Sequence, residues 1–250
     1  MPGLTRPHSL YARHAAAAER AAWSVADVIA WDRIDGSLAR RTPDVLSAVR
    51  QAALIESFHP VNLARLMHAT WDDIDAGVCF SLEAYEGFKH FHALRLYLEA
   101  IDYEPAITEA ELVALREPAA VVRIAGNELI GRLVEFMLSE HLAAYFFRRL
   151  SEQSLEPQLE RLLRVIADDE VRHAQSASDL IAKRIRADRA LIPRVLDAAA
   201  AFRHFGEEPL QGPVPVAMHG DPLALRTFLR RIERLCGVRL IDHLKAGLDH

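Results

Sequence analysis

Apolar residues recur at steps of three and four positions along most of the chain, and residues that favour helices fill long windows. The pattern predicts helices over about 43–70, 75–101, 121–151 and 157–190. Another helix is predicted to begin at Thr108, which forms a capping box with Glu111. No β-rich stretch shows strong alternation of apolar and polar residues. The sequence therefore predicts an all-α fold.

The four long predicted helices are joined by short segments, which is typical of an antiparallel bundle. Beyond Pro193 the texture changes, and helix-breaking residues accumulate at Gly206, Pro209, Gly212, Pro213, Pro215 and Gly220. A last helix is predicted over about 222–235, with Gly237 as its stop. We divide the chain into an N-terminal arm (1–22) and a single domain (23–250). Within that domain we expect a bundle core over about 43–190 and a C-terminal extension over about 191–250.

The amino-acid composition indicates which broad class of protein this chain belongs to. Of 250 residues, 51% are hydrophobic and 26% are charged, which is typical of a globular chain. A formal net charge of −5 argues against general nucleic-acid binding, and no apolar stretch reaches the roughly 18 to 20 residues that span a bilayer. The two cysteines match no disulfide or zinc spacing, so we expect a reducing cytoplasm. The basic N-terminus favours an arm or helix start over a transit peptide.

The sharpest local signal is the run Asp168-Asp-Glu-Val-Arg-His173 in the middle of a predicted helix. Glu170 and His173 are three positions apart, so both side chains project from one helix face. A carboxylate and an imidazole held in this way can chelate one metal ion. In isolation the same spacing is also compatible with a solvated polar face.

Further acids on other predicted helices strengthen the metal interpretation. Glu140 lies in an apolar, bundle-facing segment 30 residues before Glu170, and Glu56 lies 30 residues before Glu86, which is followed by His90. The two pairs are offset by 84 residues, which predicts two helix hairpins with pseudo-two-fold symmetry. Four carboxylates and two histidines in a bundle core are a ligand set for two irons. Without cations, four buried acids would be very costly.

These segments resemble the ferritin-like di-iron carboxylate proteins, and most closely the soluble acyl-carrier-protein desaturases. The resemblance rests on Asp169-Glu-Val-Arg-His173, on Ser139-Glu-His-Leu-Ala143, and on Glu56 with Pro60 four residues later. It also rests on Tyr85-Glu-Gly-Phe-Lys-His90 with Leu96-Tyr-Leu98, and on Pro215-Val-Ala-Met218 with Asp221, Gly237-Val238 and Asp242. The likeness implies a ferritin-like four-helix bundle with additional flanking helices.

The resemblance also implies a role for individual residues. Glu56 and Glu140 would be single carboxylate ligands, Glu170 with His173 one chelating pair, and His90 the histidine of the other pair. The family has a glutamate three residues before that histidine, where this chain has Gly87. Glu86 or Glu83 would then substitute, because both lie on the His90 face of the helix, and a π-bulge near Gly87 would bring Glu86 into register.

Some neighbouring residues allow two interpretations. Asp169 is expected to hydrogen-bond a ligand histidine, as the family pattern suggests, or to be a solvated acid. His59 forms a second Glu-x-x-His with Glu56, but Pro60 and the repeat favour a residue that is not a ligand. The aromatic residues Phe80, Tyr85, Phe88, Tyr145, Phe146 and Phe147 could line an apolar channel or form plain core. The basic run Lys183-Arg-Ile-Arg186 could dock an acidic carrier protein or form a charged helix end.

Three functions follow as hypotheses. By resemblance, the first is an oxygen-dependent non-haem di-iron oxidase that desaturates an acyl chain on acyl carrier protein, with a ferredoxin-type electron donor. It would use two Fe ions, although a mixed manganese–iron pair has the same ligand chemistry. The second is a di-iron hydroxylase or N-oxygenase acting on a small substrate. The third is a non-redox ferritin-like binding or scaffold protein with an incomplete metal site. A homodimer is expected from the resemblance alone.

Overall fold

The computed structural model describes residues 9–116, 124–126, 128–207 and 222–248. Among these residues the regular secondary structure is entirely helical and no strand occurs, which confirms the predicted all-α class. The helices are α1 (Leu10–Ala21), α2 (Gly36–Ala39), α3 (Pro43–Ala69), α4 (Ile74–Ala100), α5 (Glu109–Arg116), α6 (Leu129–Gln153), α7 (Pro157–Ala187), α8 (Ile192–Ala200), α9 (Pro222–Cys236) and α10 (Leu240–Leu248). Short 3₁₀ turns lie at Trp31–Arg33 and Arg189–Leu191.

The four long helices pair as two hairpins. Helix α3 packs along α4, and α6 packs along α7, because each pair is joined by only a few residues. The hairpins then face each other through contacts of α4 with α7 and of α3 with α6. The result is a four-helix bundle.

Side chains at the helix starts determine where two bundle helices begin. The Asp73 carboxylate accepts hydrogen bonds from the backbone N–H groups of Asp75 and Ala76 at the start of α4. At the start of α7, the Glu156 carboxylate accepts one from the Leu159 N–H at 2.7 Å, and Pro157 occupies the first helical position. Both caps satisfy backbone donors that the helix itself leaves unpaired.

Two apolar clusters fill the bundle and leave a polar layer between them. One cluster contains Leu46, Leu94, Phe146 and Leu159. The other, towards the opposite end, contains Leu63, Phe80, Leu133 and Leu180. The candidate ligands fall between these residues in the sequence of every bundle helix. The hydrophobic core therefore closes both ends of the layer that carries the chemistry.

The remaining helices cover the bundle from outside. Helix α1 packs on α4 and α7, where the Tyr11 N–H donates to Asp75 and the ring of His14 contacts Asp179. Helix α5 packs on α3, α8 lies on α6, α9 contacts α6, α7 and α8, and α10 lies on α8. The segment expected to be a basic N-terminal arm thus includes a helix that packs against the bundle.

Most predicted helix bounds agree with the structure to within three residues, and the exceptions lie at the ends. Helix α6 begins at Leu129 rather than at 121 (residues 121–123 lie outside the described part). Gly237 has a φ of +71°, as expected of a helix stop, but the predicted last helix is followed by α10. The breakers Pro209, Gly212, Pro213, Pro215 and Gly220, and the motif residues Pro215–Met218 and Asp221, lie outside the described residues. Among the described helices, none has the length and apolarity needed to cross a bilayer.

Candidate metal centre

The polar layer of the bundle contains the residues that the sequence predicted to be ligands. Each long helix contributes: Glu56 from α3, Glu83, Glu86 and His90 from α4, Glu140 from α6, and Asp169, Glu170 and His173 from α7. All eight side chains are buried, the most accessible being Glu56 at 6% exposure. A set of buried acids and imidazoles of this size requires either protons or cations to neutralise it.

The first group of possible metal donors consists of Glu56, His90 and Glu170. The Nδ1 atom of His90 lies 2.9 Å from Oε1 of Glu170 and 3.5 Å from Oε2 of Glu56. One donor atom from each of the three residues falls within 4.8 Å of the others. These residues come from α3, α4 and α7, so the group forms only when the hairpins pack together.

The second group consists of Glu140, Glu170 and His173. The Nδ1 atom of His173 lies 2.9 Å from Oε2 of Glu170 and 3.4 Å from Oε2 of Glu140. One donor atom from each of these residues again lies within 4.8 Å of the others. Glu170 belongs to both groups, with Oε1 directed at the first and Oε2 at the second. The geometry therefore suits two neighbouring cations that share one carboxylate.

The donor atoms of the first group lie close to one another, but none of them makes a hydrogen bond of acceptable geometry among the described residues. These atoms are Glu56 Oε2, His90 Nδ1 and Glu170 Oε1. Buried polar atoms are nearly always paired, so an unpaired set that converges on one point indicates a partner outside the polypeptide. Carboxylate oxygens and imidazole nitrogens are the donors that iron and manganese use in proteins. The residues present fit a pair of such ions.

The outer nitrogen of each histidine contacts an acid from the facing helix. The Nε2 atom of His90 lies 3.0 Å from Oδ2 of Asp169, and that of His173 lies 2.8 Å from Oε2 of Glu86. The guanidinium of Arg172 donates to both carboxylate oxygens of Glu86, at 3.1 and 3.0 Å, and to Asp169. Such contacts hold an imidazole with Nδ1 directed inward. Asp169 thus contacts a histidine as expected.

Glu86 and Glu83 lie elsewhere than the sequence analysis expected. Helix α4 is a regular α-helix over its whole length, so the expected π-bulge near Gly87 is not present. Glu86 consequently contacts the outer nitrogen of His173 and belongs to neither donor group. Glu83 accepts a hydrogen bond from Ser176 and also lies outside both groups.

The repeat explains this difference. His90 corresponds to His173, so Glu86 corresponds to Asp169, each four residues before its histidine. Gly87 then corresponds to Glu170. The equal spacing of 30 residues paired Glu86 with Glu170 and was therefore shifted by one position. In the structure, Glu86 and Asp169 have equivalent contacts, each to the histidine of the other hairpin.

The space beside Gly87 is filled by His59. A Cβ atom at position 87 would lie only 2.7 Å from Cδ2 of the His59 ring, closer than real contacts allow. The ring is 2% exposed, and its Nδ1 atom lies 3.8 Å from Oε1 of Glu140. Burial lowers the pKa of His59 to about 3, so the imidazole is neutral at physiological pH.

Trp23 and Arg172 take part in the site but were not singled out from the sequence. The Trp23 indole N–H donates to Oδ2 of Asp169 at 2.8 Å, and its ring is parallel to that of His90, with centroids 6.1 Å apart. The ammonium of Lys89 lies 4.1 Å from the Trp23 ring centroid. Arg172 lies inside the recognised run, so its position was a usable signal. Trp23 precedes Asp169 by 146 residues, and no local pattern connects them.

Burial and mutual charge set the protonation of the metal-free site. Burial, and next the charge of Glu170, raise the pKa of Glu140 well above its usual value, and the same causes raise that of Glu56. Burial alone would lower the pKa of His90 and His173, but the surrounding carboxylates raise both well above the usual value. Protons therefore neutralise the layer when no cation does, and bound metal ions would displace them.

One cavity adjoins the outer side of His173 and is covered by α1. It has a volume of about 210 Å³, and Arg13, His14, Glu83, Glu86, Arg172 and Ser176 are among its lining residues. We call it the α1 cavity. Its lining includes both charged side chains and the apolar Leu82.

A cavity on another face lies behind His59, and we call it the arginine cavity. It has a volume of about 270 Å³ and is lined by Arg65, Arg132, Arg203, Glu128, Glu135, Glu207, Leu66, Phe136 and Phe205, among others. Phe136 and Phe205 also pack on the ring of His59, with centroids 5.6 and 5.5 Å away. These two phenylalanines and His59 therefore lie between the cavity and Glu140.

The aromatic group does not line either cavity. Phe80, Phe146 and Phe147 are buried core residues, and Tyr85 and Phe88 are exposed. Tyr145 donates to Thr227 of α9 at 3.1 Å. In the basic run, Lys183 forms ion pairs with Asp73 and Asp75, and Arg184 pairs with Asp73. Two of its cations are therefore already neutralised within the protein.

Comparison with known proteins identifies a similar fold but no similar sequence. No protein-family model matches the chain, and no curated protein matches its sequence. Among solved structures, the chain is similar to an R2-like ligand-binding oxidase from Sulfolobus acidocaldarius, with a TM-score of 0.63 and 16% sequence identity. The match covers 94% of this chain and 94% of that one. The structure of this chain is thus a ferritin-like helical bundle, as its ligand segments predicted.

Proposed function

We propose that this protein is an oxygen-dependent di-iron carboxylate oxidase. The observation that carries the proposal is Glu170, whose two oxygens face two separate groups of buried donors. A carboxylate in this position can bridge two ions a few ångströms apart. The similarity of fold to an oxidase is consistent with such chemistry, although a fold by itself determines no activity.

Each proposed ligand has a defined part in holding the metal pair. Glu56 and His90 would bind one ion, Glu140 and His173 would bind the other, and Glu170 would bind both. When bound, ferrous ions supply the electrons with which O₂ is reduced and a substrate is oxidised. The protein supplies the dry layer around them, because apolar clusters close it at both ends.

Glu86 is better assigned as an orienting residue than as a ligand. It accepts two hydrogen bonds from Arg172 and contacts the outer nitrogen of His173. Both of its oxygens are therefore engaged by Arg172 or His173. Asp169 has the same relation to His90. We propose that the two acids keep both imidazoles in the tautomer and orientation that present Nδ1 to the metals.

The cavities favour a small substrate over a long acyl chain. At about 210 and 270 Å³, they lie below the roughly 300 to 1,000 Å³ typical of drug-sized ligand sites. The arginine cavity has three arginines and three glutamates among its lining residues, so its charges balance. A hydroxylase or N-oxygenase of a small molecule is therefore the preferred subclass. Desaturation of a carrier-bound acyl chain, with ferredoxin as donor, is the narrower alternative.

Oxygen consumption tests the proposed function. The chain is loaded anaerobically with ferrous iron, excess metal is removed, and O₂ uptake is recorded on mixing. We expect uptake in proportion to bound iron for the wild type, and loss of uptake in Glu170→Ala. Asp168→Ala is the matched control, because Asp168 is the preceding acid of the same run and its side chain is 76% exposed. Uptake that persists in Glu170→Ala, or that is absent from iron-loaded wild type, would overturn the proposal.

The substrate class is tested separately with reduced ferredoxin as electron donor. A stearoyl-loaded acyl carrier protein is compared with a panel of small aromatic amines and phenols, and products are identified by mass spectrometry. Oxygenated small molecules are expected, with a gain of 16 mass units. Loss of two hydrogens from the acyl chain would instead establish the desaturase alternative.

A further inference from the structure

Position 87 is the one place where the repeat lacks a carboxylate. Its counterpart, Glu170, is the residue shared by both donor groups. A glutamate at 87 would enter the layer from the opposite hairpin. It has no room there, because a Cβ atom would already lie 2.7 Å from the His59 ring. The side chain that replaces it in space is therefore an imidazole supplied by α3.

The neighbouring helix shows the reverse arrangement of small and large residues. On the α6–α7 hairpin, Glu170 is large and the residue three positions after Glu140 is Ala143. On the α3–α4 hairpin, Gly87 is small and the residue three positions after Glu56 is His59. The two hairpins thus place one large polar side chain each at equivalent levels of the bundle, from α7 in one case and from α3 in the other.

The ring of His59 packs on two phenylalanines and also borders the second donor group through its Nδ1 atom. Its Nε2 atom is buried and has no hydrogen-bond partner among the described residues. Its Nδ1 atom lies 3.8 Å from Oε1 of Glu140. Two donors held about 2.1 Å from one ion lie between about 3 and 4.2 Å apart, depending on the angle between them. The separation of 3.8 Å falls inside that range. His59 lies outside the second donor group in the metal-free structure, and its ring centroid is 6.4 Å from that of His173, so binding the same ion requires the ring to move towards Glu170 and His173.

We propose that His59 is a third imidazole ligand of the metal pair, binding the ion held by Glu140 and His173 in the place that a carboxylate at position 87 would take. The proposal rests on the di-metal centre proposed above. It gives the centre three carboxylates and three imidazoles, so the pair carries one negative charge fewer than with a fourth carboxylate. Gly87 is then the residue that makes room for the ligand.

Cobalt(II) loading of the full chain tests the proposal directly. Paramagnetic Co(II) shifts the ring N–H proton of each coordinated histidine far downfield in the ¹H NMR spectrum, where the resonances disappear in D₂O. We expect three exchangeable imidazole resonances in the wild type and two in His59→Phe, which keeps an aromatic ring beside Gly87. The affinity for the second cobalt should fall by at least about tenfold.

Two further variants control for packing. His141→Phe removes a buried imidazole that is adjacent to Glu140 in sequence but contacts the Ala224 carbonyl instead. This variant should keep three resonances and both cobalt affinities. The double variant His59→Ala with Gly87→Glu supplies the carboxylate and should bind two cobalt ions with two resonances.

The outcomes separate the two proposals. Two cobalt ions with only two resonances in the wild type would overturn the role of His59 and leave the di-metal centre intact. The wild-type count decides this even if His59→Phe does not fold. Failure of the wild type to bind any cobalt would overturn both the ligand role and the proposed function.

Discussion

A single glycine decides how this site differs from the pattern its ligand segments resemble. Gly87 was identified from the sequence as a missing ligand, and nearby acids were expected to replace it. The structure places the imidazole of His59 in that space instead. Sequence spacing within α4 contained no information on this, because His59 belongs to α3. The replacement depends on how two helices pack.

The close contact between Gly87 and His59 predicts that the effect of Gly87→Ala on the free energy of unfolding changes sign when the His59 side chain is removed. Gly87→Ala should destabilise the metal-free protein by about 1 to 3 kcal/mol, because the added Cβ overlaps the ring. In a His59→Gly background, which also removes the Cβ atom that lies 3.3 Å away, the same change should stabilise by about 0.5 to 1 kcal/mol, the usual gain from alanine in a helix. Urea denaturation measures both effects.

Gly77→Ala is the control for this cycle. Gly77 lies on the same helix, and a Cβ atom there meets nothing within 4 Å, so stabilisation is expected in both backgrounds. Equal effects of Gly87→Ala with and without His59 would contradict the predicted contact.

Asp169, which contacts the outer nitrogen of His90, gives a prediction for metal affinity. Asp169→Asn keeps the size of the side chain but removes the charge that faces Nε2 of His90. The affinity of the first metal should fall by about 10- to 100-fold, the usual effect of losing such a partner. Titration with ferrous iron under anaerobic conditions measures it. Asp168→Asn, on the exposed neighbour, should leave the affinity unchanged, and an unchanged affinity in Asp169→Asn would argue against an orienting role.

At the level of helices, periodicity and capping residues predicted the bundle well. Helices α3, α4 and α7 agree closely with the prediction. Their apolar residues recur with helical spacing over many turns, and residues typical of helix termini, such as Pro157, mark their ends. At the same level, Glu86 lies outside both donor groups, away from the ligand position that its spacing predicted. The equal spacing of 30 residues paired Glu86 with Glu170. Aligning His90 with His173 shows that Glu86 instead corresponds to Asp169, one position earlier.

The cap of α7 yields a prediction for stability. Glu156 is buried, caps the helix through Leu159, and accepts a hydrogen bond from the Tyr97 hydroxyl at 2.9 Å. Glu156→Ala should cost about 2 to 4 kcal/mol, since it removes the cap and leaves a buried hydroxyl without its acceptor. Denaturation of the metal-free protein measures the loss. Glu152→Ala, at an exposed acid near the end of α6, should stay within about 0.5 kcal/mol. A similar loss in both variants would contradict the capping role.

For the molecule as a whole, the sequence predicted the fold and predicted part of the candidate metal centre. The segments around Glu140, Glu170 and His173 predicted both a ferritin-like bundle and the residues that meet at its centre. The contacts of Trp23, Lys89 and His59 did not follow, because each joins segments that no local sequence pattern connects. Burial of the whole set between two apolar clusters is likewise a property of the assembled bundle.

That burial predicts how metal binding depends on pH. In the metal-free state, His90 and His173 have pKa values raised well above the usual value, so both are charged at neutral pH. Metal ions must displace these protons, and affinity should therefore rise with pH and weaken as the pH falls. Calorimetry in buffers of different ionisation enthalpy should report release of about two or more protons per chain. Binding without proton release would contradict this picture of the metal-free site.

The central claim is that two metal ions share Glu170, and anomalous diffraction tests it most directly. Crystals of the iron-loaded protein would be measured on both sides of the iron absorption edge. We predict two anomalous peaks about 3.5 to 4 Å apart, one beside Glu56 and His90 and the other beside Glu140 and His173, with Glu170 between them. A single peak, or peaks away from Glu170, would contradict the account.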